Sequence, residues 1–199
     1  SFGPFAALWV LMALSLGVSY WLTLALAVPT AGFLIRIFII CHDCGHGSFF
    51  RSRRANRWVG FVTGVLTFTP AHAWARQHKK HHATSGNLDK RGTGDIWTMT
   101  VQEYADASRW QRFRYRLYRH PLVMFGVGPA FMFFVHHRFW HRDDDGAARR
   151  DVVLTNLALL AIAVAASLTI GLKAYLMVQL PVMLIAGTAG VWLFYVQHQ

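Results

Sequence analysis

Two long stretches of this chain carry almost no charge, and that restricts its possible folds more than any other property. All 9 acidic residues and 18 of the 20 Lys+Arg lie between Cys41 and Asp151; only Arg36 and Lys173 fall outside. The uncharged flanks are long enough to hold helices of the roughly 20 apolar residues that cross a bilayer. Residues 2–20 and 21–40 are expected to form one helical hairpin, with Pro29 as a tolerated kink. Residues 152–170 and 174–195 are expected to form a second, turned at Gly171-Leu172-Lys173. The predicted fold class is therefore an all-α integral membrane protein. Its four transmembrane helices form two hairpins, and residues 41–151 form a histidine-rich helical cap within a single domain, 1–199.

Two shorter apolar stretches do not change this reading. Residues 58–69 are too short to span, and 121–135 are flanked by Arg119 and Arg138. If 121–135 crossed, one basic flank would face outward against the positive-inside bias. Both stretches are expected to be interfacial or buried in protein. An even number of spans then puts the whole cap and both chain ends on the cytoplasmic face. A composition of 54% hydrophobic and 15% charged residues excludes disorder and argues against an ordinary water-soluble domain. Two cysteines, Cys41 and Cys44, cannot make a disulfide framework. They read as small, semi-buried residues at a helix end. The run Arg109-Trp110-Gln111-Arg112-Phe113-Arg114-Tyr115-Arg116 interleaves bases with aromatics as some nucleic-acid surfaces do. Its place between an amphipathic and an interfacial stretch favours headgroup anchoring, and no nucleic-acid partner is expected.

The 11 histidines are informative through their spacing. His42 and His46 are four apart on a helix continuing from the second span, so they share a face and can point at one ion. One such pair is expected by chance in a chain this rich in histidine. A triple such as His78, His81 and His82 is not; its i, i+3, i+4 spacing places all three on one side of a helix. His198 lies at the end of the fourth span, level with the other two groups if the spans number four. Neutral imidazoles without a thiolate set suit iron, zinc, copper or nickel better than a structural zinc knuckle. More ligands than one ion needs, beside a lipid phase, suggest a two-metal site acting on an apolar substrate.

These residues resemble the membrane fatty-acid desaturases, in particular the acyl-lipid, omega-6-like branch. The matching text is His42-Asp43-Cys44-Gly45-His46-Gly47-Ser48-Phe49-Phe50, then Trp74-Ala75-Arg76-Gln77-His78-Lys79-Lys80-His81-His82 with its trailing loop through Asp89 and Gly92 to Thr98, and Gln197-His198-Gln199. The resemblance implies oxygen-dependent insertion of a double bond into a lipid-linked acyl chain, with two iron ions and dioxygen as co-substrate. It assigns His42, His46, His78, His81, His82 and His198 as iron ligands. Asp43, Asp89 and Asp95 are candidates to hold the second nitrogens of those imidazoles. Trp74 and Arg76 are candidates to position the substrate. Two electrons would come from a soluble donor such as a ferredoxin, which the basic cap could attract.

The family also carries an H-x-x-H-H box after its fourth span, and the sequence stops at Gln199 before any such box. The expectation is an incomplete version of a longer desaturase, inactive alone. His136, His137 and His141 are weak substitutes, and His72 and His120 match no box. A hydroxylase or monooxygenase of the same histidine-box class is the nearest alternative. A histidine-rich metal transporter is disfavoured because the histidines lie at span ends or in the cap.

Overall fold

The computed structural model describes residues 1–92 and 94–198, the last without its side chain. The regular elements among them are all helical. In chain order they are α1 (Phe2–Ser15), α2 (Tyr20–His46), α3 (Arg53–Leu66), α4 (Ala71–Thr84), α5 (Val101–Asp106), α6 (Arg109–Arg119), α7 (Gly128–Phe134), α8 (Gly146–Thr169) and α9 (Leu172–His198). Among the described residues, three helices are long and apolar enough to cross a membrane: α2, α8, and α9 over Leu172–Gln197.

The expected span 2–20 departs from this. The helix there has 14 residues, which at 1.5 Å per residue covers about 21 Å of a ~30 Å hydrocarbon core. Side chains help set its end. Ser15 Oγ donates to Met12 O at 2.8 Å and shares a 2.7 Å hydrogen bond with Thr23 Oγ1 of α2, which draws the chain into its turn early. The second helix departs the other way. It passes residue 40 and continues through His46, so the apolar span and the first histidine pair form one rigid rod. It stops at Gly47, whose φ of 71° is the left-handed closure glycine supplies cheaply, with Ser48 N bonded back to Asp43 O at 3.0 Å.

Helix α2 is the axis of the fold. Its Ala27, Ala31, Leu34 and Ile37 are buried against Met12 of α1 and Val178, Val182 and Met183 of α9. Small alanines let the backbones approach closely, as helix interfaces in lipid favour. Trp9 Nε1 donates to Gln179 Oε1 at 2.9 Å, and Tyr20 Oη to Met177 O at 3.5 Å. The start of α9 therefore lies beside the start of α2, and the two run parallel. That direction carries Phe194 and Tyr195 to the end where α2 bears its histidines. Helix α8 exposes Leu157, Leu160, Val164 and Leu168, an apolar face suited to lipid. Residues 58–69 fall in α3 and its C-terminal turn, packed across α2. Residues 121–135 become a π turn (Val123–Val127) followed by α7, packed on α9.

Candidate metal centre

Two helical pairs of histidines face each other. On α2, His42 and His46 bring their Nε2 atoms to 3.3 Å. On α4, His78 and His82 have the same spacing and an Nε2 separation of 3.0 Å. The pairs interleave, with ring centroids 4.8 Å apart for His42 and His78 and 5.2 Å for His46 and His82. One ring nitrogen from each of the four lies within 4.8 Å of all the others.

The local folding of α4 explains how its pair arrives there. The helix follows Pro70, which offers no side-chain cap, so the first-turn N–H groups need acceptors from elsewhere. Asp151 of α8 supplies one: its Oδ2 accepts from His72 N at 2.8 Å and Ala73 N at 3.2 Å. Arg76 adds an ion pair to Asp145 and a 3.4 Å bond to Asp143 O. The arginine expected to position substrate thus tethers α4 to the head of α8. Ala73 packs on Ala148 and Val152 beneath these bonds. On the other side α2 approaches so closely that a Cβ at Gly45 would sit 3.1 Å from Ala75 Cβ. The turn after the first pair is held by buried Asn56. Its Oδ1 accepts from Phe50 N at 2.9 Å, and its Nδ2 donates to Phe50 O at 2.7 Å and Gly47 O at 3.2 Å.

Two of the three candidate aspartates meet an imidazole. His42 Nδ1 donates to Asp43 Oδ1 at 2.9 Å, which in a neutral ring leaves Nε2 bare toward His46. His81 Nδ1 donates to Asp95 Oδ1 at 2.8 Å, and the second oxygen of Asp95 accepts from Gly92 N at 3.0 Å. Gly94 packs flat against His81, with φ 74° and room for a Cβ only 3.1 Å from His81 Cβ. Asp89 is exposed in the turn Leu88–Lys90 and reaches no imidazole among the described residues. Buried His81 leaves the four-histidine group and packs 5.3 Å from the Phe194 ring of α9. The side chain of His198 lies outside the described residues. Trp74 stacks on His78 at 4.4 Å and sets its edge against Phe38 of α2 at 5.3 Å, so it walls the cluster. His136 and His141 bring their rings to 4.6 Å, while His137 Nδ1 donates to Phe68 O. None of these three joins the cluster, and His72 and His120 are exposed.

His78 offers the cluster an unprotonated ring. Burial, reinforced by the neighbouring imidazoles His42, His82, His46 and His81, pushes His78 down to about 3, so it is neutral near pH 7. Four converging ring nitrogens, with no thiolate among them, form a donor set that fits iron as well as zinc, copper or nickel. Asp151 and Asn56 escaped the sequence reading. Asp151 had a signal of its own, as an acid at the head of a span, but nothing in the sequence paired it with α4.

A profile for the fatty acid desaturase family matches residues 5–199. The chain is 56% identical to a fatty acid desaturase of Bacillus subtilis over 201 residues, all of this chain and 56% of the relative's length. It is 33% identical over 97 residues to an sn-1 acyl-lipid omega-3 desaturase (ferredoxin) of Synechocystis, 47% of this chain and 26% of that protein. An sn-1 oleoyl-lipid 12-desaturase of Arthrospira platensis is 31% identical over 107 residues, 53% of this chain and 30% of that one. No solved structure matches. The chain thus spans little more than half the length of the first of these relatives. With a family profile covering nearly every residue and, along its whole length, 56% identity to a desaturase, this chain belongs to the fatty acid desaturase family.

Proposed function

We propose that this chain serves an oxygen-dependent acyl-lipid desaturase that uses two irons and an external electron donor, with its histidine site on the cytoplasmic face of the membrane. The observation that carries the reading is the convergence of His42, His46, His78 and His82 from two helices at the end of an apolar rod. These four would hold one ion, with His81 and His198 assigned to a second. Iron bound there supplies the activation of dioxygen. The protein's own groups do the rest. Asp43 and Asp95 hold the Nδ1 protons of His42 and His81, which turns their other nitrogens inward. Trp74 and Phe38 keep water from the buried side of the cluster.

In the overall reaction, hydrogens leave two adjacent methylenes as the double bond forms. Dioxygen takes those two hydrogens with their two electrons, and two more electrons from the donor with two protons from solvent, and leaves as two waters. The ferredoxin named for the Synechocystis relative supports a small acidic donor, which the basic middle of the chain would attract. Four helices, α1, α2, α8 and α9, would cross the bilayer, α1 being the shortest of them. The test is expression of the complete gene, followed by iron analysis and mass spectrometry of cellular acyl chains. His46→Ala and His82→Ala should each lower iron per protein and abolish the new alkene. Full iron and turnover in both variants would overturn the reading, and an alcohol in place of an alkene would redirect it to a hydroxylase.

A further inference from the structure

Helix α6 has two unlike faces. Tyr115 and Tyr118 lie on one, where their hydroxyls accept from Met99 N and Trp97 N, each at 3.4 Å, and their rings pack on Trp97. Arg112 folds back onto Ala107 O and Ala105 O, at 2.9 and 2.6 Å, and Arg119 donates to Tyr195 Oη at the end of α9 at 3.2 Å. This face belongs to the protein. The opposite face carries Trp110, Phe113 and Leu117 at i, i+3 and i+7, exposed by 64%, 48% and 49%. Arg109, Arg114 and Arg116 are also exposed and border that stripe, and the helix holds no acidic residue. Further along the chain Leu122, Val127 and, within α7, Phe131 are exposed as well.

A water-facing helix would not present an apolar stripe of this kind, and an acidic protein surface would match the arginines but not the aromatics between them. An apolar stripe edged by bases is what suits a helix lying in the boundary between headgroups and acyl chains. Tryptophan favours that same layer. The bond from Arg119 to Tyr195 places the end of α6 level with the end of a candidate span.

We propose that α6 lies along the surface of an anionic phospholipid bilayer, with Trp110, Phe113 and Leu117 among the upper acyl segments and Arg109, Arg114 and Arg116 on the phosphates. Because Tyr115 and Tyr118 hold the backbone at Trp97 and Met99, the segment that presents Asp95 to His81 is then referenced to the membrane surface. The proposal does not depend on the identity of the metal or of the reaction.

The test is nitroxide depth measurement on the full-length protein in vesicles of phosphatidylcholine, with and without phosphatidylglycerol. Labels go on Phe113→Cys and Leu117→Cys, with Leu160→Cys on α8 as the lipid reference and Val101→Cys as the water reference. Cys41 and Cys44 are buried, and the parent protein serves as the labelling blank. At 113 and 117, accessibility to oxygen should exceed accessibility to a water-soluble nickel chelate, and the depth should increase with phosphatidylglycerol. A chelate-accessible reading would overturn the proposal. So would shielding from both reagents, which would mean that protein covers the stripe. Equal depth in both vesicles would overturn the role given to the arginines.

Discussion

Asp151→Ala should unfasten α4 without touching any of the four clustered histidines. Helix α4 has no cap of its own, and one carboxylate oxygen of Asp151 serves two of its first-turn N–H groups at 2.8 and 3.2 Å. Hydrogen bonds to a charged acceptor contribute about 1.5–3 kcal/mol, and loss of an N-terminal cap costs about 0.5–2 kcal/mol. The two ranges describe the same bonds, so the expected loss is about 2 kcal/mol, a sizeable part of the roughly 5–15 kcal/mol that holds a domain folded. Asp151→Asn keeps an oxygen acceptor of the same shape and should lose about 1 kcal/mol or less, since only the charge assistance goes. The assay is equilibrium unfolding in mixed micelles, followed by helical circular dichroism, on protein of unchanged elution volume. Iron titration on the same samples reports whether a loosened α4 weakens the histidine cluster. An Asp151→Ala variant within about 0.5 kcal/mol of the parent would refute the reasoning, because surface substitutions fall within that band.

Three further outcomes follow from positions described above or beside them. Gly64→Ala would put a Cβ 2.4 Å from the backbone oxygen of Thr69, in a turn closed by the 2.7 Å bond from Thr69 N to Gly64 O. Overpacking of this kind costs about 1–3 kcal/mol, more than the helix propensity gained, and the thermal midpoint should drop. Asn56→Ala removes three bonds from the turn after the first histidine pair and should cost about 2 kcal/mol. Asn56→Asp should be no better, because its second oxygen would face two carbonyls. His137 is held neutral by burial and by nearby His136 and Arg138, which push it down to about 3. The unfolded chain takes up that proton below its ordinary value of about 6.5, so the stability due to this residue is complete above that pH and is lost as pH falls toward 3. His137→Gln should flatten the fall in unfolding free energy measured across that window.

Segregation of charge made three helices long enough to span legible, and fourfold spacing made the histidine pairs legible, because both depend on the geometry of a single helix. The triple shows the limit of that reading. His78 and His82 are 40° apart around α4, while His81 lies on the other side of His78, so one packs toward α2 and the other toward Phe194. Asp43 and Asp95 were identifiable as imidazole partners by nearness in sequence. Asp89 was no less near, yet the turn it occupies exposes it. What stayed hidden depends on contacts between distant segments. Arg76 is claimed by Asp145, Asp151 by α4, and α1 ends where Ser15 finds Thr23. No period or motif encodes such pairings.

The arrangement of the four histidines has a mechanical consequence. Each pair is fixed within its own helix, so a cation bound by all four would add only one new constraint, a clasp between positions 46 and 78. In the chain-entropy treatment used for crosslinks, closing a loop of about 30 residues restricts the unfolded chain by about 4 kcal/mol. The ion would therefore act as a rivet as well as a reagent. A cell that fails to supply it would lose a cross-brace of the membrane-side architecture together with the chemistry.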